Sequence, residues 1–169
     1  MDYRFFEQLT VAEAEEYLAT LLEEERKRIP SEWWDRLTAD GVRAIEPYFA
    51  EFVSKIRLVQ TVPPDDIPEY IVESMEREHG GFRDLATDAD RIAVLAAAFY
   101  FGEAFQRHFP SLSWAVGRAD RAEEGQPVVT GFSSDADLPV LVVAENLVFE
   151  HQGDQSRVAT AIATWQRAV

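Results

Sequence analysis

The chain has 169 residues, 47% of them hydrophobic, and a formal net charge of −15. A chain of this length buries roughly 70% of its unfolded surface, enough for one domain without a metal or a disulfide, and its apolar content excludes intrinsic disorder. It has no cysteine, which excludes disulfides, thiolate metal sites and cysteine nucleophiles, and its negative field repels phosphate backbones and anionic membranes, so neither nucleic acid nor membrane is an expected partner.

Met1 to Leu9 reads as a lead-in whose aromatics Tyr3, Phe5 and Phe6 pack onto the body of a single domain spanning 1–169. It lacks a basic segment followed by a long apolar one, so the expected location is the cytoplasm. Thr10 with Glu13 is a capping-box pattern, and Val11, Ala14, Leu18, Leu21, Leu22 and Ile29 recur at helical spacing before Pro30. Arg26, Lys27 and Arg28 fall in the last turn of that helix, where they complement its dipole. Ser31-Glu-Trp-Trp-Asp-Arg-Leu37 starts a further one or two helical turns. Its adjacent tryptophans, Trp33 and Trp34, cannot face the same way, so one of them lies at a seam or a partner surface, which leaves a homodimer open.

From Asp40 to Gln60 the helical period runs through Val42, Ile45, Phe49, Phe52, Val53, Ile56 and Val59. Pro47 lies inside it, which predicts a short helical piece over 40–45 and a main helix starting near Pro47. Thr61-Val-Pro-Pro-Asp-Asp-Ile-Pro68 is a connection. A helix over 67–78, with a stripe of Ile67, Tyr70, Ile71, Ser74 and Met75, then closes at His79-Gly80-Gly81.

The stretch Asp88 to Phe109, capped by Asp88, runs from Ile92 to Gly102 without a charged side chain. A helix apolar nearly all round is covered on most sides, and this one is too short to cross a bilayer, which takes ~20 apolar residues. After Pro110 the pattern changes. Ser113-Trp-Ala-Val-Gly117 and Pro127-Val-Val-Thr-Gly-Phe132, joined by the charged loop 118–126, read as a β-hairpin. Val140-Leu-Val-Val143 suits a buried strand, but the length of Val140 to Glu150 and Asn146 within it favour a helix. Gly153 and Asp154 break that segment, and a final helix runs from Arg157 to Ala168. The expected fold is α+β, mainly α: five or six helices around a buried central helix (about 88–109), with one small antiparallel hairpin (about 113–132).

Four pieces share an order with a set of uncharacterised bacterial proteins: Val42-Arg-Ala-Ile-Glu-Pro-Tyr48, Ala98-Phe-Tyr-Phe-Gly-Glu103, Trp114, and Gln126-Pro-Val-Val-Thr-Gly131. The chain resembles that family over residues 40–132. The resemblance implies a fold, a Tyr-x-Gly-Glu central helix followed by a tryptophan strand and a proline hairpin. The family being of unknown function, it supplies no catalytic residue.

Glu103 continues an apolar stripe on the central helix, one turn after Phe99 and next to Gly102, whose place in a helix interior suggests close approach of another segment. Two readings stand side by side. Glu103 is either the one catalytic candidate, a general acid or base in a pocket with Tyr100, Trp114 and His108, or an anchor that accepts hydrogen bonds from hairpin amides or an arginine. Glu76-Arg-Glu-His79 has the Glu-x-x-His spacing of di-iron bundles. Neither Glu103 with His108 nor Glu150 with His151 repeats it, so no metal and no cofactor is expected. No nucleophile elbow, phosphate loop or dinucleotide fingerprint is present. The sequence therefore favours a non-enzymatic, acidic interaction protein, immunity- or antitoxin-like, binding a basic protein. The alternative is a small-molecule enzyme or binder with a pocket around Tyr100, Glu103 and Trp114.

Overall fold

The structure is a computed structural model that describes residues 6–53, 55–64, 66–118, 121, 123–133, 135–149 and 155–169. The expectations placed on Tyr3, Phe5, His151 and the break at Gly153-Asp154, and the side chain of His79, lie outside what is described.

The chain begins with a 3-10 turn, Phe6–Gln8, and helix α1 (Val11–Arg28). Thr10 and Glu13 make the reciprocal capping box: the Thr10 amide donates to the Glu13 carboxylate at 2.9 Å, and the Glu13 amide donates to the Thr10 hydroxyl. Phe6 is buried against Tyr17, their ring centres 5.3 Å apart, so this part of the lead-in does pack onto the body.

Helix α2 (Ser31–Asp40) is longer than the one or two turns expected, and it ends at Gly41, whose φ of 58° and ψ of −139° suit only glycine. A 3-10 turn, Gly41–Ala44, leads into α3 (Ile45–Val53). Pro47 lies close to the expected division, with a short helical piece before it and the main helix beginning at Ile45. It is the third residue of α3, in the first turn, where its missing amide hydrogen has no helical partner to lose.

The helical period beyond α3 is misleading. Residues Leu58–Gln60 form strand β1, in which Val59 is exposed, and β1 pairs antiparallel with β2 (Arg83–Leu85) in a sheet the pattern did not reveal. Between them runs α4 (Glu69–His79). It is closed by Gly80 in the left-handed region, with the amides of Gly80 and Gly81 donating to the carbonyls of Glu76 and Met75. Of the expected stripe, Ile67, Ile71, Ser74 and Met75 are partly buried, whereas Tyr70 points outward.

Helix α5 (Asp88–His108) is the axis of the molecule. Its N-cap is Thr87 rather than Asp88: the Thr87 hydroxyl accepts from the Asp90 amide and donates to the Asp90 carboxylate. The enclosure is narrower than the charge-free run suggested. Ala97 to Phe105 are all buried, whereas Ile92, Ala93, Leu95 and Ala96, near the N-terminal end, are partly open.

The covering elements explain why α5 is apolar on every side. Phe99 faces a cluster made by Phe6 and by Ala14, Tyr17, Leu18, Leu21 and Leu22 of α1. Ala97, Ala98, Tyr100, Phe101, Ala104 and Phe105 enter the larger core with α2, α3 and the elements that follow. Fully burying each of these large apolar side chains contributes about 1.5–3 kcal/mol.

After α5 come β3 (Ser113–Val116) and β4 (Pro127–Thr130), the expected hairpin, in antiparallel register with Trp114 opposite Val129. A short third strand, β5 (Leu138–Pro139), adds to β4, and the chain passes directly into α6 (Val140–Phe149), so the ambiguous segment is helical. Pro139 sits on the sheet edge, where its lack of an amide hydrogen costs nothing. Helix α7 (Gln155–Gln166) closes the core through Val158, Ile162 and Trp165, the last against Phe132 at 5.1 Å. The fold is α+β and mainly α. No described helix is long and apolar enough to cross a membrane.

Candidate functional site

Glu103 lies in the penultimate turn of α5, 2% exposed, with both carboxylate oxygens occupied. The Arg26 guanidinium, from the last turn of α1, donates to Oε1 at 2.5 Å, and the Trp114 indole, from β3, donates to the same oxygen at 3.0 Å. Arg107, one turn further along α5, donates to Oε2 at 3.2 Å. Three elements thus meet at one carboxylate. Charge-assisted bonds of this kind are about twice as strong as neutral ones, and a buried carboxylate with two arginine partners has its desolvation offset.

Both arginines also engage Trp34. Its indole nitrogen donates to the Arg26 carbonyl at 3.1 Å, and the Arg107 guanidinium lies 4.3 Å above its ring, a cation–π contact. Of the paired tryptophans, Trp33 is the buried one and Trp34 the one at a seam. Trp34 is partly buried there, against Tyr100, Arg26 and Arg107.

Gly102 is explained by the same arrangement. A Cβ at that position would collide with the six-membered ring of Trp114 and come within 3.1 Å of Val140 Cγ1. The missing side chain lets the indole lie flat across α5, stacked on Phe99 at 5.3 Å, with its nitrogen over Glu103. The close approach inferred from the glycine is therefore the tryptophan of the hairpin.

The other residues expected at the site go elsewhere. Tyr100 is fully buried. Its hydroxyl donates to the Trp33 carbonyl at 3.0 Å, and its ring stacks on Tyr48 at 3.8 Å. Burial pushes its phenol, and that of Tyr48, well above the usual tyrosine range, so both remain neutral. His108 is exposed and turns toward Gly41, whose missing side chain makes room for the imidazole, with its ring edge-on to Phe109 at 4.7 Å. A cavity of about 500 Å³ lies among Val116, Arg118, Thr130, Phe132 and Asp135, and neither Tyr100 nor Glu103 lines it. No group of three or more potential ligands for a metal ion occurs among the described residues.

Arg26, Trp34 and Arg107 are the members sequence reasoning missed. Arg107 was legible, being four residues after Glu103 on one helix face. Arg26 was not, because 77 residues separate it from its partner.

A second buried carboxylate does a related job at the other end of α5. Asp90 accepts from the Thr87 hydroxyl at 2.5 Å and from the Arg57 amide at 3.0 Å, with the Arg57 guanidinium 3.6 Å away. These bonds hold its carboxyl below the usual aspartate range, the Thr87 hydroxyl contributing most. They also pin the start of β1 to the start of α5.

No family model, curated protein or solved structure matches the chain.

Proposed function

We propose that this chain is a non-enzymatic, acidic interaction protein of the cytoplasm that captures a basic protein partner, as an immunity protein or antitoxin does. The observation that carries this reading is where the charge sits. The sequence holds 31 Asp and Glu against 16 Lys and Arg, and the buried carboxylates among the described residues are Glu25, Asp90 and Glu103. The excess therefore lies on the surface, along α1 (Glu15, Glu16, Glu23) and α4 (Glu69, Glu73, Glu76). Such a field accelerates encounter with cations and discourages acidic competitors.

The buried acid supports the same conclusion from the other side. A general acid or base needs a vacant position next to a reacting atom. Glu103 is surrounded by Arg26, Arg107 and Trp114, and Tyr100 is closed off beneath Trp33 and Trp34.

The test is retention of partners on the immobilised protein from an extract of the producing cells, at low and at high salt. Basic proteins held at low salt and released as salt rises are the expected result. An empty eluate, or retention indifferent to salt, contradicts electrostatic capture.

A further inference from the structure

Helix α4 is built unlike the rest. None of its described side chains is buried, and it is stabilised by its ends: Glu69 in the first turn and the Gly80 and Gly81 amides folded back on Glu76 and Met75. Helical stability in proteins comes mainly from packing an amphipathic face, so a helix that buries so little of itself leaves a face unused. That outer face is defined by spacing. Glu69, Tyr70, Glu73, Glu76 and Arg77 follow at three- and four-residue intervals and are all exposed, whereas Ile71, Val72, Ser74 and Met75 turn partly inward.

Tyr70, 71% exposed, is thus an aromatic side chain set among three glutamates and one arginine. Val62, 82% exposed, and Val59 lie in the segment that leads into the same helix, whereas the other exposed large apolar residues among the described residues (Val11, Val142 and Val169) are spread over the chain.

Resting on the reading of the chain as a binder of basic proteins, we propose that the outer face of α4, with Tyr70 as its anchor, is where that partner docks, through a segment with lysines or arginines flanking an apolar seam. Tyrosine is over-represented at the centre of interfaces, where it fills an apolar pocket while its hydroxyl stays wet. The surrounding glutamates match cations on the partner and set its orientation. Charge selects this occupant over a second copy, because pairing two α4 faces would bring Glu69, Glu73 and Glu76 against their own equivalents.

The experiment uses the intact chain and a synthetic peptide whose helix carries lysines on one face and leucines on the other, with a scrambled peptide of equal charge as control. Binding is followed by amide chemical shifts and by titration. The expected result is shifts confined to β1, α4 and β2, tighter binding of the amphipathic peptide than of the scrambled one, and a loss of roughly tenfold or more on Tyr70→Ser or Glu73→Lys. Glu15→Lys, an equal charge change on α1, should alter affinity by less than about twofold, a screened long-range effect.

All three variants change exposed positions, so folding is retained. If the peptide binds but Tyr70→Ser has no effect and the two charge reversals weaken binding equally, the docking assignment is overturned while capture by the general field survives. Absence of binding at low salt overturns both. A concentration-dependent rise in mass without peptide, abolished by Tyr70→Ser, assigns the face to a second copy and also overturns the proposal.

Discussion

Gly102 and Glu103 are adjacent residues with one purpose: the first makes room for the Trp114 indole, the second holds it. Each yields a prediction whose sign is informative. Alanine is favoured over glycine within a helix by about 1 kcal/mol, yet Gly102→Ala would force a methyl group into the Trp114 ring. Overpacking costs about 1–3 kcal/mol, so the variant should be net destabilised in urea unfolding. A gain in stability would mean that the indole does not lie there.

Glu103→Gln keeps the shape and an oxygen for Trp114 but leaves Arg26 and Arg107 without a counter-charge. Because both arginines are 44% exposed, water recovers part of that loss. The expected cost is about 1–3 kcal/mol, read as a lower urea midpoint with an unchanged slope.

Among the elements, α5 and α4 are opposites. The amides of Ala97 to Phe105 lie in buried backbone, whereas α4 buries none of its described residues, so native-state hydrogen exchange should rank them far apart. The α5 amides should open only with global unfolding, and the α4 amides well before it. Equal protection would contradict this division.

Asp90 ties the β1–α4–β2 segment to α5, and its lowered carboxyl makes that tie sensitive to acid. Folding holds the proton affinity of this group below its unfolded value of about 3.9. Its contribution is therefore complete above that pH and lost as pH falls through the lower folded value. Asp90→Asn should remove this part of the acid dependence and speed exchange in β1 and β2 at neutral pH. An unchanged acid profile would discount the tie.

These elements also show how far sequence carries. The capping box at Thr10 and Glu13, the glycine stop after α4 and the all-round apolar run of α5 are local signals and could be read directly. The β1–β2 sheet could not. Its strands are three residues long, Arg83 and Asp84 have little strand character, and pairing occurs across the whole of α4. Val59 fitted a helical period by coincidence and stands exposed on β1. At the site, the glycine disclosed that something approached, but only folding identifies that visitor as Trp114 and adds Arg26 from α1.

At the scale of the molecule, a dense apolar axis is closed at one end by Asp90 and at the other by Glu103, and most other carboxylates face outward. Asp90 and Glu103 each hold separate elements together. On the hairpin rim an exposed acid is also tied within the chain: Arg118 and Arg121 both pair with Asp135 and hold its carboxyl low, with Arg118 the larger cause.

On the proposed reading, function resides in the surface charge while Glu103 serves the fold. The most direct measurement is the affinity of a captured basic partner as a function of salt, for the unaltered chain and for Glu103→Gln at a temperature where both are folded. Affinity should fall steeply with salt and follow the same line for both proteins. A salt-independent affinity, or its loss in folded Glu103→Gln, would contradict the claim.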